Sequence, residues 1–416
     1  MIALGQVNKI YGDDGDNVLV GRGRNDQAFG FDGADLIQGH GGLDSLNGGA
    51  GADTLQGGGG DDWLVSYNPK EQGGENEPGD SLAGEGGDDR LSAGSGDTAL
   101  GGVGDDSVFA VTGAGGLFDG GSGRDVLELH LGEAFVGDFS GLAHGGEMAV
   151  QGATVRGFEG GLIVLGIGDD HAALGFRGDF SLQGGAGDDE LSGSAGSDTL
   201  SGGLGSDTVH AGAGDDLVFD PVTSPGAGDV DQVFGGKGDD TLFATDGDDI
   251  LSGGSGDDHL LFEASHDFGD QGRDLLRGGG GDDFLQVRYA AAATLQGGAG
   301  TDTLFAGRAA DTLQGGAGED VYRFQLVLYR HGADNIHLIQ DRSIGVVDLS
   351  PVAVGHSAGS RLHIVDHFDG VAGELTIAYS PTDDLTRVEG DVDGDKVADL
   401  VLVITGDYTD PNGYVL

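Results

Sequence analysis

Two nine-residue segments, GGAGADTLQ at residues 48–56 and GGGGDDWLV at residues 57–65, follow one another without a gap. Both fit the frame GGxGxDxUx, in which U is a large apolar residue and x varies. The frame restarts many times along the chain, and several restarts lie two periods apart. Further starts are Gly101, Gly120, Gly184, Gly202, Gly235, Gly253, Gly278, Gly297 and Gly315. A fixed short period of this kind indicates a repeat architecture.

The frame combines a turn with a very short strand. GGxGxD favours a turn because its glycines accept left-handed backbone, and xUx supplies about three extended residues whose middle side chain points inward. One nonapeptide then makes half a coil, and two nonapeptides make a coil of two strands and two turns. Stacked coils give two parallel sheets with the U side chains between them. The sequence therefore predicts an all-β fold, a parallel β-roll solenoid, with Leu55, Leu64, Leu191, Leu200, Leu242, Leu260 and Leu285 in its core.

The charge of the chain indicates a need for cations. Asp and Glu number 72 against 19 Lys and Arg, so the formal net charge is −53. Such a chain repels nucleic acid, which excludes nucleic-acid binding, and it must overcome its own repulsion to fold. Asp outnumbers Glu several-fold, and its short carboxylate reaches a cation held close to its own turn. Two stacked turns offer carboxylates and backbone carbonyls, a hard oxygen cage that suits Ca²⁺ better than Zn²⁺ or Mg²⁺.

The repeat resembles the RTX, or hemolysin-type, calcium-binding nonapeptide over residues 12–323. In that family the sixth-position Asp binds calcium through its side chain, so the resemblance implies many Ca²⁺ ions as cofactors. The frame loses its spacing, a glycine or the Asp around residues 16–19, 22–28, 93–100 and 288–295, and calcium is not predicted there. The metal ligands predicted from the resemblance are Asp35, Asp44, Asp53, Asp62, Asp89, Asp106, Asp125, Asp189, Asp198, Asp207, Asp216, Asp240, Asp249, Asp258, Asp274, Asp283, Asp302 and Asp320.

Interruptions of the period divide the chain into four predicted parts. Residues 1–128 form a first roll block, with a polar excursion at 66–80 that contains two prolines. Residues 129–165 form a strand-rich insert, and residues 166–323 form a second roll block. Residues 324–416 lack the nonapeptide and carry short β-type runs, which predict a C-terminal β cap.

The C-terminal part resembles the end of serralysin-type RTX proteins, where a β segment closes the roll and precedes an uncleaved secretion signal. FDGVAGELTIAY at 368–379 and TRVEGDVDGDKVADLVLVITG at 386–406 carry this resemblance. It implies export by type I secretion machinery and an extracellular or cell-surface location. The chain has no cysteine, its first residues show no Sec-type signal, and no stretch approaches the ~18 apolar residues of a membrane-spanning helix.

Two groups of polar residues in this segment are candidate metal sites. DVDGDKVAD at 391–399 brings Asp391, Asp393, Asp395 and Asp399 close together. It lacks the Gly and the bidentate Glu of an EF-hand loop, so a plain turn and a calcium site both stay open. His363 and His367 have the spacing of a zinc pair, but Ile364 stands where HExxH needs Glu.

The sequence contains no GxSxG elbow, P-loop or cysteine nucleophile, and pairs such as Asp61 and Asp62 recur too regularly to mark one active site, so an enzyme is not predicted. The leading hypothesis is a secreted, calcium-dependent structural or interaction protein. The alternatives are the calcium-binding module of a secreted enzyme of the serralysin or alginate-epimerase type, and an ice-binding protein, whose regular Thr or Asn face is missing here.

Apolar side chains at the outward ninth position favour self-association or an extracellular partner. They are Phe109, Phe219, Phe234, Phe243, Leu261 and Phe305.

Overall fold

The computed structural model divides the chain into two compact units, Met1–Ala186 and Gly187–Leu416. Within the described part, no helix is long and apolar enough to cross a membrane. The residues described are 7–67, 79–112, 115–142, 146–175, 179–219, 229–263, 272–288, 292–307, 309–324, 336–340, 344–349, 363–365, 367–391, 396–398, 400–409 and 414–415.

The first unit consists of two mainly parallel sheets whose strands alternate along the chain. One sheet contains β1 (Asn8–Tyr11), β3 (Asp26–Asp32), β5 (Ser45–Ala50), β7 (Trp63–Tyr67), β9 (Arg90–Ala93), β11 (Ser107–Val111), β13 (Val126–His130), β17 (Gly160–Val164) and β19 (Asp179–Ala186). The other contains β2 (Val18–Val20), β4 (Leu36–Gly41), β6 (Thr54–Gly59), β8 (Ser81–Gly86), β10 (Thr98–Val103), β12 (Leu117–Ser122), β16 (Ala153–Arg156) and, antiparallel at its edge, β15 (Glu147–Val150). Two short strands, β14 (Val136–Asp138) and β18 (His171–Ala173), pair with each other, and a 3₁₀ turn spans Ser140–Leu142.

The second unit repeats this arrangement. One set of parallel strands is β21 (Thr199–Leu204), β23 (Leu217–Phe219), β25 (Thr241–Ala244), β27 (His259–Glu263), β29 (Phe284–Arg288), β31 (Thr303–Ala306), β33 (Asp320–Phe324), β35 (Ile344–Asp348) and β40 (Tyr414–Val415). The other set is β20 (Glu190–Ser192), β22 (Thr208–Ala213), β24 (Gln232–Lys237), β26 (Ile250–Ser255), β28 (Leu275–Gly280), β30 (Thr294–Ala299), β32 (Thr312–Ala317) and β34 (Ile336–Ile339).

The C-terminal strands add an antiparallel cap to the second set. β39 (Leu400–Thr405) pairs in parallel with β34, then antiparallel with β38 (Leu385–Asp391), which pairs antiparallel with β37 (Glu374–Ser380). The short strand β36 (His363–Ile364) lies next to β37. The all-β roll and its C-terminal cap, both predicted from the sequence, are confirmed.

The register of the sheets follows the period of the sequence. Leu46 lies opposite Leu64, and Leu242 lies opposite Leu260, so residues one coil apart stack directly. All seven U residues named above are fully buried. Insertions change the sequence separation but keep the register, as where Leu55 lies opposite Leu82. The core is therefore a ladder of single side chains between two sheets, as the frame predicts.

The domain boundaries proposed from the sequence stay a prediction. β17 lies within the predicted insert and pairs in parallel with both β13 and β19, so it takes part in the first sheet. Most of the predicted excursion at 66–80 lies outside the described residues.

Candidate metal sites

The sixth-position aspartates stack in columns along the edges of the two units. In each column the backbone N–H of one Asp donates to Oδ1 of the Asp in the next coil: Asp44 donates to Asp62 at 2.7 Å, and Asp240 donates to Asp258 at 2.9 Å. Four columns result. Column 1 is Asp26, Asp44, Asp62, Asp89, Asp106 and Asp125; column 2 is Asp35, Asp53, Asp80 and Asp97; column 3 is Asp198, Asp216, Asp240, Asp258, Asp283, Asp302 and Asp320; column 4 is Asp189, Asp207, Asp231, Asp249, Asp274 and, beyond Ala293, Asp311.

All eighteen predicted ligands lie in these columns, and each is at most 3% exposed. The structure therefore brings the predicted residues together as stacked pairs. An aspartate this well buried needs compensation for both of its oxygens, because an unpaired buried carboxylate oxygen is costly.

The second oxygen of many of these carboxylates lacks such compensation from the protein. Their Oδ2 is buried and accepts no hydrogen bond from any residue that the structure describes. This holds for Asp35, Asp44, Asp62, Asp89, Asp106, Asp125, Asp216, Asp240, Asp258, Asp283 and Asp302. A row of buried, uncompensated anionic oxygens at regular spacing requires either protons or cations.

The surroundings of Oδ2 fit a hard cation. A methyl group added to the Cα of Gly39 would lie 2.3 Å from Asp44 Oδ2 and 2.6 Å from the carbonyl oxygen of Gly57, one coil further on. At Gly235 the same distances are 2.3 Å to Asp240 Oδ2 and 2.7 Å to the Gly253 carbonyl. A carboxylate oxygen and a carbonyl oxygen thus converge on a space that glycine keeps open, and oxygen donors of this kind are those that Ca²⁺ prefers.

The pKa values of these aspartates also favour a bound cation. Burial raises the pKa of Asp62 and Asp240 to about 6, and that of Asp89 and Asp283 to about 7. The N–H donated by the preceding coil lowers each pKa, and the adjacent carboxylates raise it. A divalent cation between the coils would remove both penalties at once, since it replaces lost hydration and neutralises the repulsion.

A second, exposed ladder runs along the fifth position of the turns, in the opposite sense. Asp88 and Asp105 donate their N–H groups back to Oδ1 of Asp61 and Asp88, at 3.1 and 2.9 Å. The two carboxylates of sequences such as Asp61-Asp62 therefore bond to different coils. The fifth-position carboxylate accepts an N–H from the following coil, and the sixth-position carboxylate accepts an N–H from the preceding coil.

Six buried aspartates at the same structural position were not predicted. They are Asp26, Asp80, Asp97, Asp170, Asp231 and Asp311. Each of their turns lacks at least one glycine of the frame, but each Asp keeps a buried apolar residue two positions later: Ala28, Leu82, Ala99, Ala172, Val233 and Leu313. A pattern of Asp followed two positions later by any apolar residue, Ala included, would have found them, because it marks the start of the strand independently of how the turn is made.

Three other residue types take the sixth position at the ends of columns. Asn17 donates its N–H to Asp35 Oδ1 at 2.8 Å, at the start of column 2. Glu159 Oε2 accepts the N–H of Asp125 at 2.8 Å, at the end of column 1. His337 Nδ1 accepts the N–H of Asp311 at 3.3 Å, at the end of column 4. His337 is fully buried, and burial lowers its pKa to about 4, so it is neutral at pH 7.

The two candidate sites of the C-terminal segment are only partly described. Asp391 is fully buried and accepts the N–H of Lys396 at 2.9 Å, whereas Asp393, Asp395 and Asp399 lie outside the described residues. His367 is exposed and lies 3.1 Å from Asp369. Across the described ranges, no three His, Cys, Asp or Glu side chains meet as a metal centre. A cation in the columns would therefore take much of its coordination from backbone carbonyls.

A parallel roll whose turns stack buried aspartates against glycine carbonyls defines a calcium-binding repeat solenoid. The model of the RTX calcium-binding nonapeptide repeat matches residues 11–46, 38–66, 79–100, 183–218, 225–260, 268–286 and 292–323. The chain belongs to the RTX calcium-binding repeat proteins. No curated protein matches it significantly.

Proposed function

We propose that the protein is a secreted, calcium-dependent structural or interaction protein of the cell surface or extracellular matrix. The observation that carries the proposal is the set of buried Oδ2 atoms, which makes the folded roll unfavourable at neutral pH until cations fill the turns. Extracellular calcium sites of this kind operate at roughly 10⁻⁴ to 10⁻³ M, a concentration that the cytosol does not supply. The chain would then leave the cell unfolded, through type I secretion machinery, and fold outside.

An interaction role is supported by the outward face of the second unit. Phe219 lies opposite Phe243, and Phe243 lies opposite Leu261, so three apolar side chains follow one another on adjacent strands. Each is partly exposed. In an anionic protein such a row favours contact with a second copy or another extracellular surface once calcium has reduced the repulsion.

Circular dichroism tests the proposed function. In chelator the protein should show a largely unordered spectrum, and millimolar Ca²⁺ should convert it to a β spectrum, whereas equal Mg²⁺ should not, because Mg²⁺ demands a tighter octahedral site. A β spectrum that chelator leaves unchanged would contradict the proposal.

A further inference from the structure

Among the described residues, four turns satisfy the sixth-position aspartate differently from the turns with an uncompensated Oδ2 named above. In these turns Oδ2 accepts a backbone N–H from the same turn, so the oxygen that is uncompensated elsewhere has a protein donor. The pairs are Arg22 N to Asp26 at 2.6 Å, Gly94 N to Asp97 at 2.6 Å, Ser194 N to Asp198 at 2.6 Å, and Gly307 N to Asp311 at 2.9 Å. We call these the closed turns, and those with an uncompensated Oδ2 the open turns.

The backbone at the second position decides between the two forms. In open turns this residue is left-handed, as Gly58 at φ +112° and Gly236 at φ +114° show, and even Phe31 adopts φ +78° there. In three of the closed turns this residue is Arg22, Ser194 or Gly307 and is not left-handed, and in the shorter turn of Asp97 the donor Gly94 is not left-handed either. Their N–H can therefore turn inward and donate to the carboxylate, where an open turn leaves room for an ion.

The strands record the same difference. Before three closed turns, β2, β20 and β31 end at Val20, Ser192 and Ala306, before the second position is reached, and β9 ends at Ala93, directly before the donor Gly94. Before open turns such as those of Asp44 and Asp62, β4 and β6 continue through the first two positions of the turn to Gly41 and Gly59. Closing a turn thus interrupts the sheet pairing that otherwise continues across the glycines.

The closed turns lie at the ends of the columns. Asp26 begins column 1, Asp97 ends column 2, Asp198 begins column 3 and Asp311 ends column 4. Each of the four columns therefore has a closed turn at one end, and the open turns named above lie further along the columns. Asp26, Asp97 and Asp198 have a stacked aspartate on one side only, and Asp311, which lies between Ala293 and His337, has none. A cage shared between coils is hardest to complete at such a turn.

We infer that the four closed turns bind no calcium and form metal-free ends that bound the calcium columns. The inward N–H supplies at Oδ2 the positive partial charge that an ion supplies in the open turns. At Asp198 the other oxygen, Oδ1, is buried and accepts no hydrogen bond from the described residues. This inference rests on the proposed calcium-dependent function, because it states which turns of the roll take the ion. It assigns Asp198, which the repeat frame alone would count as a ligand, to the metal-free set.

Ser194 offers a direct test, because GSAGSD at 193–198 differs from GGxGxD at one residue. Ser194→Gly should allow the left-handed backbone, open the turn and add one bound Ca²⁺ to the wild-type number, counted by native mass spectrometry at saturating calcium. Ser194→Ala keeps the backbone donor and should leave the number unchanged. Gly236→Ser is the converse change: its Cβ would meet the carbonyl oxygen of Gly212 at 2.1 Å, so at least one ion should be lost.

Two substitutions that remove a charge but leave the backbone unchanged test the inference if the backbone variants fold poorly. Asp198→Asn should leave the ion count unchanged, whereas Asp240→Asn, in an open turn of the same column, should lower it by at least one. An unchanged count in well-folded Ser194→Gly, or equal losses in Asp198→Asn and Asp240→Asn, would overturn the inference. Wild-type protein that binds no calcium would instead overturn the proposed function, so the two failures are distinguishable.

Discussion

A sixth-position aspartate uses its two oxygens differently. Oδ1 joins neighbouring coils by accepting an N–H, and Oδ2 is left beside a glycine Cα and a carbonyl of the next coil. The sequence predicts that these residues are ligands, but it does not show which carboxylates are closed by their own turn. That depends on the sign of φ at one residue, which the residue type alone does not fix: Phe31 is left-handed in an open turn, whereas Gly307 in a closed turn is not.

The raised pKa values predict an acid-stabilised metal-free roll. Asp89 and Asp283 have pKa values of about 7 in the fold, against an ordinary value of 3.8. The stabilisation by protons is therefore complete below pH 3.8 and is lost as the pH rises through 6 to 7. Metal-free protein should gain β structure by circular dichroism between pH 8 and pH 4.5, and the half-saturating calcium concentration should rise over the same range because protons compete. A β content that falls on acidification would contradict this.

First-position glycines should be needed for the ion itself. Gly235→Ala would place a Cβ at 2.3 Å from Asp240 Oδ2 and 2.7 Å from the Gly253 carbonyl oxygen, in the space where the ligands converge. We expect the loss of calcium at this turn and a decrease in unfolding free energy of about 1–3 kcal/mol in saturating calcium. Gly280→Ala is the control, since no atom lies within 4 Å of its Cβ. If the two substitutions lowered the unfolding free energy equally in urea, the first-position glycine would not be needed to keep the ion site open.

At the scale of the element, the sequence predicts the half-coil correctly but not the length of its strand. The inward position of U, the coil of two strands and the stacking of Leu242 on Leu260 all follow from the nonapeptide. Many strands are at least twice as long as xUx suggests, as in β4, because parallel pairing continues into the first positions of the turn. The parallel pairing of β34 with the distant β39 has no local signal in the sequence.

Shared ligands predict that the stacked turns of neighbouring coils load together. Asp258 Oδ1 accepts the N–H of Asp240, and Asp258 itself donates to Asp283 Oδ1 at 2.9 Å. Asp258→Ala should therefore remove more than one Ca²⁺ and raise the titration midpoint, because the buried N–H of Asp240 is left unsatisfied at a cost of about 1–3 kcal/mol. Asp32→Ala, which removes an exposed carboxylate, is the charge-matched control. Loss of one ion with an unchanged midpoint in isothermal titration calorimetry would show that the turns are independent.

At the scale of the whole molecule, charge and calcium decide whether copies can approach. The net charge of −53 keeps metal-free chains apart, and calcium in the turns reduces it. We predict that Phe243→Ser combined with Leu261→Ser leaves calcium binding intact but abolishes a calcium-dependent oligomer in light scattering. Phe234→Ser, on the opposite set of strands and stacked on His210 at 4.7 Å, is the control. Wild-type protein that stays monomeric in calcium would exclude self-association through this face.

The central claim is that ions lie between the coils beside the open carboxylates, and anomalous X-ray diffraction from crystals grown with calcium tests it most directly. The account predicts lines of anomalous peaks along the columns, each within coordination distance of an Asp Oδ2 and a glycine carbonyl of the next coil, as at Asp44 and Gly57 or at Asp240 and Gly253. Protein that crystallises in millimolar calcium with the same fold, but shows no anomalous peak beside these oxygens, would contradict it.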